Sequence, residues 1–452
     1  MLKTRSANRR VHVLDSFCQV FQERRRLASW TGAGRIAAAA AFAILAVPYA
    51  SAASDGVQHV QLGADGRFFV NGAAVFPIGY TSGPILGGLA PNGRDGLAEL
   101  KREGYVFQLW YCPPNKWGPE KEAELDKLVA HSQIEGTRLV ISIHDLQAIK
   151  PGEEAKIGEL RRVVTKYRDS PAVLFWKGED EPQWSHFPPQ DLAIYYRTVH
   201  ELDPNHPIWI TQAPRGTVDD LRPYNPFYDI GAIDIYPVSY PPGTHSGIAN
   251  KNLSVVGDYT KIIAEATEHK KPLMMILQIC WSGVTKPGKT LRFPTLAEER
   301  YMTYQAIING AHGLVYFGGN VRACWNDQDT AYGWNWSFYE RALRPVLDEL
   351  RPDSPLYPAL IAPNSSLPLR AEGVSGLEYT TRESGDFVYV MAAKREGDTV
   401  EAAFTGLPPN VTHGDVLFEA PRTITVQAGR FTDWFGPNEV HLYRFRRPSA
   451  QR

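Results

Sequence analysis

The stretch "AVLFWKGEDEP" at residues 172–182 begins as an apolar run and ends on three consecutive carboxylates and a proline. Such a run, bounded by turn and charge signals, fits a strand of a parallel sheet that is covered on both faces. Seven more runs of similar length occur: "AVFPIGY" (74–80), "YVFQLWY" (105–111), "RLVISIH" (138–144), "PIWITQA" (207–213), "DIGAIDIYP" (229–237), "KPLMMILQI" (271–279) and "GLVYFGG" (313–319). Helical patterns separate most of them. "PEKEAELDKLVAHSQIEG" starts on proline and repeats Leu125, Leu128 and Val129, while "KIGELRRVVTKY" repeats Ile157, Leu160, Val163 and Val164. Eight strand–helix units predict a closed (β/α)8 TIM barrel of the α/β class rather than an open doubly wound sheet. No G-x-G-x-x-G follows the first strand, so a dinucleotide-binding fold lacks its main feature.

Outside the barrel the pattern changes twice. "VQHVQLGADGRFFVNGAAVFPIGYT" alternates apolar and polar residues around Asp-Gly and Asn-Gly, which predicts a hairpin feeding the first barrel strand. From about residue 353 the helical period disappears. "GLEYTTRES", "FVYVMAAKR", "TVEAAFTGL", "DVLFEAP", "RTITVQAG" and "EVHLYRF" read as strands of an antiparallel C-terminal β-sandwich domain, 353–452, after a barrel domain, 53–352.

The 452 residues carry a formal charge of −1, with 43% hydrophobic and 11% aromatic content, enough for one large and one smaller core. Residues 1–52 hold eight Lys/Arg against two Asp/Glu, leaving the rest at about −7, and no basic stripe suited to nucleic acid is present. Within that segment, "RIAAAAAFAILAVPYASAAS" places Arg35 before an apolar stretch and Ala50-Ser51-Ala52 after it. This is the layout of a secretory signal peptide behind an unusually long N-terminal extension. Cleavage near Ala52 predicts a secreted or periplasmic protein with no membrane anchor. Cys112, Cys280 and Cys324 then remain, with no zinc or redox spacing. Cys280 and Cys324 follow neighbouring barrel strands and are expected to form a disulfide.

Alternation along each strand assigns side chains to the barrel interior. It sends Val106, Gln108 and Trp110 inward from the second strand, and Ser142 and His144 from the third. The fourth contributes Lys177, Glu179 and Glu181, the sixth Ala232, Asp234 and Tyr236, and the seventh Met274, Ile276 and Gln278. Polar groups therefore gather at strand C-termini, where barrel enzymes hold their active sites. Trp110, Trp117, Trp184, Trp281, Trp325, Trp334 and Trp336 fall at or beyond the same ends. Aromatic walls among carboxylates, amides and histidine suit a polyhydroxylated ring. Trp110, His144, Glu179, Tyr236, Trp281 and Asn320 are the expected substrate contacts.

The fourth-strand "GEDEP" resembles the signature of the clan of retaining (β/α)8 glycosidases that includes the cellulase-like family 5 and the β-galactosidase families 2 and 42. In that clan the strand ends in Asn-Glu, often Asn-Glu-Pro, and the Glu is the acid/base. The resemblance implies that Glu181 is the acid/base, with Asp180 in the Asn position. The seventh strand departs from it, because "LMMILQICW" puts Gln278 where the clan has its nucleophilic Glu. An amide does not form the glycosyl-enzyme ester.

Three readings stay open. A substrate acetamido group oriented by Asp180 serves as nucleophile; Asp234 acts as nucleophile or as base; or the site binds sugar without hydrolysing it. In all of them Glu179 is expected to pair with Lys177. The sequence thus predicts a glycoside hydrolase acting on a poly- or oligosaccharide, with Glu181, Asp180, Asp234 and Gln278 at the reaction centre and no cofactor or metal. Its alternative is a silent carbohydrate-binding protein of the same fold.

Overall fold

The computed structural model describes residues 56–279, 291–318 and 326–447. The leader, the Cys280–Cys324 pair, Trp281, Asn320 and Trp325 lie outside the described residues. Three short antiparallel strands come first: β1 (Val60–Leu62), β2 (Phe68–Val70) and β3 (Ala73–Val75). The β2–β3 link is Asn71-Gly72, with φ of 50° and 80°, the two left-handed residues that a tight hairpin turn requires.

Eight parallel strands then close into a barrel. They are β4 (Pro77–Tyr80), β5 (Tyr105–Cys112), β6 (Arg138–Ile143), β7 (Val173–Asp180), β8 (Ile208–Gln212), β9 (Ile230–Ile235), β10 (Leu273–Gln278) and β11 (Gly313–Phe317). Each pairs with the next, and β11 pairs with β4. Phe107, Val140, Phe175, Trp209, Ala232, Met274, Ile276 and Val315 fill the interior together with Val60, Phe68, Val70 and Val75. The N-terminal sheet therefore plugs the barrel floor, and only the C-terminal end can open to solvent. Gly79 is needed at its interior position because a Cβ there would lie 2.3 Å from the Phe107 ring.

Ile233, Ile235, Met275 and Leu277 pack outward against the surrounding helices, as alternation predicts. In β5 the phase is the reverse of the expected one. Phe107 lies inside, whereas Val106 and Trp110 belong to the helix-side cores. A run such as "YVFQLWY", apolar but for Gln108, has no clean alternation to fix its phase.

After the barrel, the chain forms two antiparallel sheets. β12 (Arg370–Glu372), β15 (Val400–Thr405) and β18 (Arg430–Phe435) make one; β13 (Leu377–Ser384), β14 (Phe387–Lys394), β19 (Val440–Arg446), β16 (His413–Val416) and β17 (Thr423–Thr425) make the other. Val388, Val390, Phe404, Phe431, Phe435 and Phe445 pack together between them. The opposite face of the larger sheet, through Tyr389, Met391, Ala393 and Leu442, joins the core that holds the barrel helix Leu296–Ile308. Ala53–Arg452 forms one compact unit. No helix of the described residues is long and apolar enough to cross a membrane.

Candidate active site

The end of β7 builds the centre of the barrel mouth. Lys177 pairs with Trp209 and Asp180 with Thr211, three steps along β7 against two along β8. One extra residue in a strand is a bulge, a device that re-aims side chains. The bulge is held from inside. The Lys177 ammonium, 2% exposed, donates to Asp180 Oδ1 at 2.8 Å and to the carbonyls of Gly178 and Glu179 at 3.3 and 3.4 Å. It also lies over the Trp209 ring. Asp180, not Glu179, is thus the partner of Lys177, because the extra residue turns the Asp180 side chain to the position that strict alternation assigns to Glu179.

Glu181 follows with φ of 47°. A left-handed non-glycine residue is uncommon, and a following proline disfavours helical backbone further. Its N–H donates to the Thr211 carbonyl at 2.8 Å, which fixes this strained turn to β8. Burial and the neighbouring Asp180 charge raise the Glu181 pKa, while Lys177 and Arg215 oppose the rise. Glu179 is raised mainly by burial. Its Oε1 accepts the Asp180 N–H at 3.2 Å and lies 3.7 Å from His144 Nε2.

Asp234 faces the same cavity from β9. It is buried, and its pKa is pushed well above the usual carboxylate range by burial first, then by Glu181 and Asp180. The Tyr236 side chain hydrogen-bonds to it. Its other near neighbour is His245, whose Nδ1 accepts the Tyr236 N–H at 3.1 Å, leaving the proton on Nε2, 3.9 Å from Asp234 Oδ2. Burial and Arg215 hold the His245 pKa down at about 4, so this ring is neutral near pH 7. Tyr236 is stacked between His245 and Phe317, with centroid distances of 4.4 and 4.9 Å. Arg215 donates to the His245 carbonyl and lies under the Trp184 ring at 5.4 Å. Trp184 is 53% exposed and Tyr111 47%. Burial, then Asp180 and Glu179, raise the Tyr111 pKa, which places its hydroxyl beside the β7 carboxylates.

The structure therefore brings Glu179, Asp180, Glu181, Asp234, His144 and Tyr236 to one mouth. Two other expected site residues do not belong to it. Trp110 points into the helix layer and packs edge-on against Trp117, whose Nε1 donates to Glu159. Gln278 is 0% exposed. Its Oε1 accepts the Val238 N–H at 2.9 Å, and its Nε2 donates to the Val238 and Arg292 carbonyls, both at 2.8 Å. This amide staples the loop after β9 to the segment before the helix Leu296–Ile308, so its described hydrogen bonds are structural. Trp334 and Trp336 are likewise core residues, packed on each other and on Tyr339. Of the tryptophans expected at the rim, Trp184 is the one that the described residues show open to solvent.

Tyr111, Arg215, His245 and Phe317 were not anticipated. Corrected β5 phase would have found Tyr111, and one more step along β11 would have found Phe317. Arg215 and His245 sit on loops with no periodicity to assign them. Among the described residues no group of His, Cys, Asp and Glu could hold a metal ion.

No protein-family model and no curated protein sequence matches the chain. Solved structures do. A glycoside hydrolase of family 5 from Bacteroides vulgatus superposes with a TM-score of 0.55 at 12% identity, covering 87% of this chain and 93% of that one. A protein described as a glycoside hydrolase gives 0.53 at 12%, covering 87% and 98%. A family 27 β-L-arabinopyranosidase from Geobacillus stearothermophilus gives 0.51 at 11%, covering 83% and 98%. Likeness at this identity concerns the fold: a TIM barrel with C-terminal β-structure.

Proposed function

We propose that this protein hydrolyses O-glycosidic bonds of a poly- or oligosaccharide, with Glu181 as general acid/base. The observation that carries the reading is the placement of Glu181 and Asp234, both raised in pKa and with the Glu181 charge among the causes at Asp234, at the open end of a barrel whose floor is plugged. Two interacting carboxyls release their protons in two steps, and between those steps the pair holds one proton. Burial holds the proton more strongly on Asp234, so the reactive form, with Glu181 protonated to give its proton to the leaving oxygen and Asp234 ionised, is the minor of the two one-proton forms. Glu181 suits the acid role because it lies nearer the surface, on a backbone turn whose strain fits a positioned functional group. Tyr111, Trp184 and Phe317 supply flat faces for a sugar ring, while Tyr236, covered on both faces, reaches the centre through its hydroxyl.

Asp234 supplies the second carboxylate. It adds to the anomeric carbon if the first product retains configuration, and activates water if the product is inverted. Substrate assistance is less well supported, since Lys177 already engages the carboxylate that would orient an acetamido group. The second reading, sugar binding without turnover, draws on Gln278, because β10 ends in a structural amide. Export rests on the sequence of residues 35–52.

Release of reducing sugar from a polysaccharide panel, compared with binding by calorimetry, separates the two readings. Glu181→Gln should lower turnover at least about 10²-fold with little loss of affinity, and less for substrates with good leaving groups. Turnover of natural substrate by the Gln variant at the original rate would transfer the acid role to Glu179.

A further inference from the structure

Opposite the mouth, at the barrel base, a second polar site lies between the barrel and the larger C-terminal sheet. Asp65, Arg67, Phe76, His312, Asn364 and Arg382 are among its lining residues, and the space open to the centre of a water-sized sphere is about 10 Å³. That admits one particle of the size of a water molecule or a small monatomic ion. Arg382 projects from β13 and is 7% exposed. Its Nη1 donates to Thr380 Oγ1 and, at 3.4 Å, to the Thr381 carbonyl. Among the described residues no carboxylate pairs with it. The nearby Asp65 is engaged by Arg67, 2.7 Å from Nε to Oδ2.

The charges do not balance. Two guanidiniums and one carboxylate line the cavity, and His312 adds no negative group. Its ring is neutral near pH 7, since burial and Arg382 lower its pKa to about 4. Burial lowers Arg382 only to about 10, so it stays charged at neutral pH. A buried charge without a counter-charge is costly, and a water molecule would leave the excess of one positive charge in place. The cavity is too small for sulfate, phosphate or a carboxylate ligand. We propose that the cavity between Arg382, Arg67 and His312 binds one small monovalent anion of the chloride class, which fastens the C-terminal sheet to the barrel base. The site is independent of the carboxylates at the mouth and of the activity assigned to them.

Thermal unfolding of the whole protein in sodium chloride and in sodium gluconate at equal ionic strength tests this. An anion that binds the native state alone raises the midpoint by about 3 °C at 100 times its dissociation constant for a unit of this size. Arg382→Met should show equal midpoints in the two salts. Crystals grown in sodium bromide should show an anomalous peak beside the Arg382 guanidinium, a measurement that does not depend on the variant folding. Equal midpoints for the unsubstituted protein in both salts, or crystals without bromide in this cavity, would overturn the proposal.

Discussion

Gln278→Glu restores, on paper, the carboxylate that the resemblance expects at the end of the seventh barrel strand, so its outcome discriminates between a catalytic and a structural position. In the folded protein the amide nitrogen donates to two carbonyls at 2.8 Å, and the group is fully buried. A carboxylate there turns both donors into acceptors facing acceptors. Two lost hydrogen bonds cost about 1 kcal/mol each, and forcing a buried charge or an upward-shifted carboxyl against carbonyls adds about 1–3 kcal/mol. The expected loss is about 3–5 kcal/mol. For the compact unit Ala53–Arg452, an unfolding entropy of about 2.1 cal/mol/K per residue converts that loss to a fall in midpoint of about 4–6 °C. Gln278→Met, which keeps the volume and leaves the two carbonyls without donors, should fall by less. Calorimetry reads the midpoints, and reducing-sugar release reads turnover. If Gln278→Glu kept its midpoint and gained turnover, the staple role would be wrong and the position would be catalytic.

The pH–rate profile should be a bell displaced toward neutral pH, rising as the Glu181–Asp234 pair loses its first proton and falling as it loses its second, since both pKa values are raised. Lys177→Met removes a cation that lowers the Glu181 pKa, so the bell should move to higher pH; an unmoved bell would show that Lys177 does not act on Glu181. Tyr236→Phe, which keeps the ring, and His144→Phe, which puts a larger ring at a partly exposed position, should reduce turnover or sugar affinity with midpoints nearly unchanged; a large stability loss with unaltered affinity would make both residues packing groups. Glu103, buried at the barrel's outer wall and accepting from the Tyr339 hydroxyl, has its pKa raised from 4.5 to about 7 by burial. The folded state therefore holds this proton longer, and stability should fall by about 3 kcal/mol between pH 4.5 and 7. Denaturant titrations of Glu103→Gln should lack that fall.

The eight strands were legible because each is short, apolar and bounded by polar turns, and all eight lie within three residues of their expected limits. Burial direction was legible only where side chains differ along the strand. In "AIDIYP" the alternation of Ile with Ala, Asp and Tyr fixes the phase, and Asp234 and Tyr236 do face the mouth. In "YVFQLWY" both phases are mostly apolar, and the one polar residue, Gln108, shares its phase with Val106 and Trp110, so it does not fix the side on which Trp110 lies. What decides it is Gly79 on the adjacent strand, whose missing Cβ makes room for Phe107 inside. That is a cross-strand fact, visible only once β4 and β5 are paired. β18 was missed because "RFTDWF" carries charges on a strand with an open face, which dilutes its apolar signal.

The mouth shows the same limit in chemical terms. Alternation gives Lys177, Glu179 and Glu181 one direction and Asp180 the other, which leads to the wrong ion pair. The bulge inserts one residue between Lys177 and Asp180, the second break of alternation in β7 after the shift at Val173–Phe175 that puts both Leu174 and Phe175 in the interior core. Nothing in "KGEDEP" specifies a bulge except Gly178, and there a Cβ would lie 2.7 Å from Ile210, as close packing of β7 on β8 demands. The failure has a chemical consequence. With Lys177 held by Asp180, no ammonium among the described residues pairs directly with Glu179 or Glu181, and burial can act on both carboxyls in the direction that retains protons. Had Lys177 paired with Glu179 as alternation implies, Asp180 would have stood beside Glu181 without its counter-charge and raised the Glu181 pKa further. The bulge thus moderates the acid while leaving its pKa raised, and moving Lys177's partner by one residue is enough to do so.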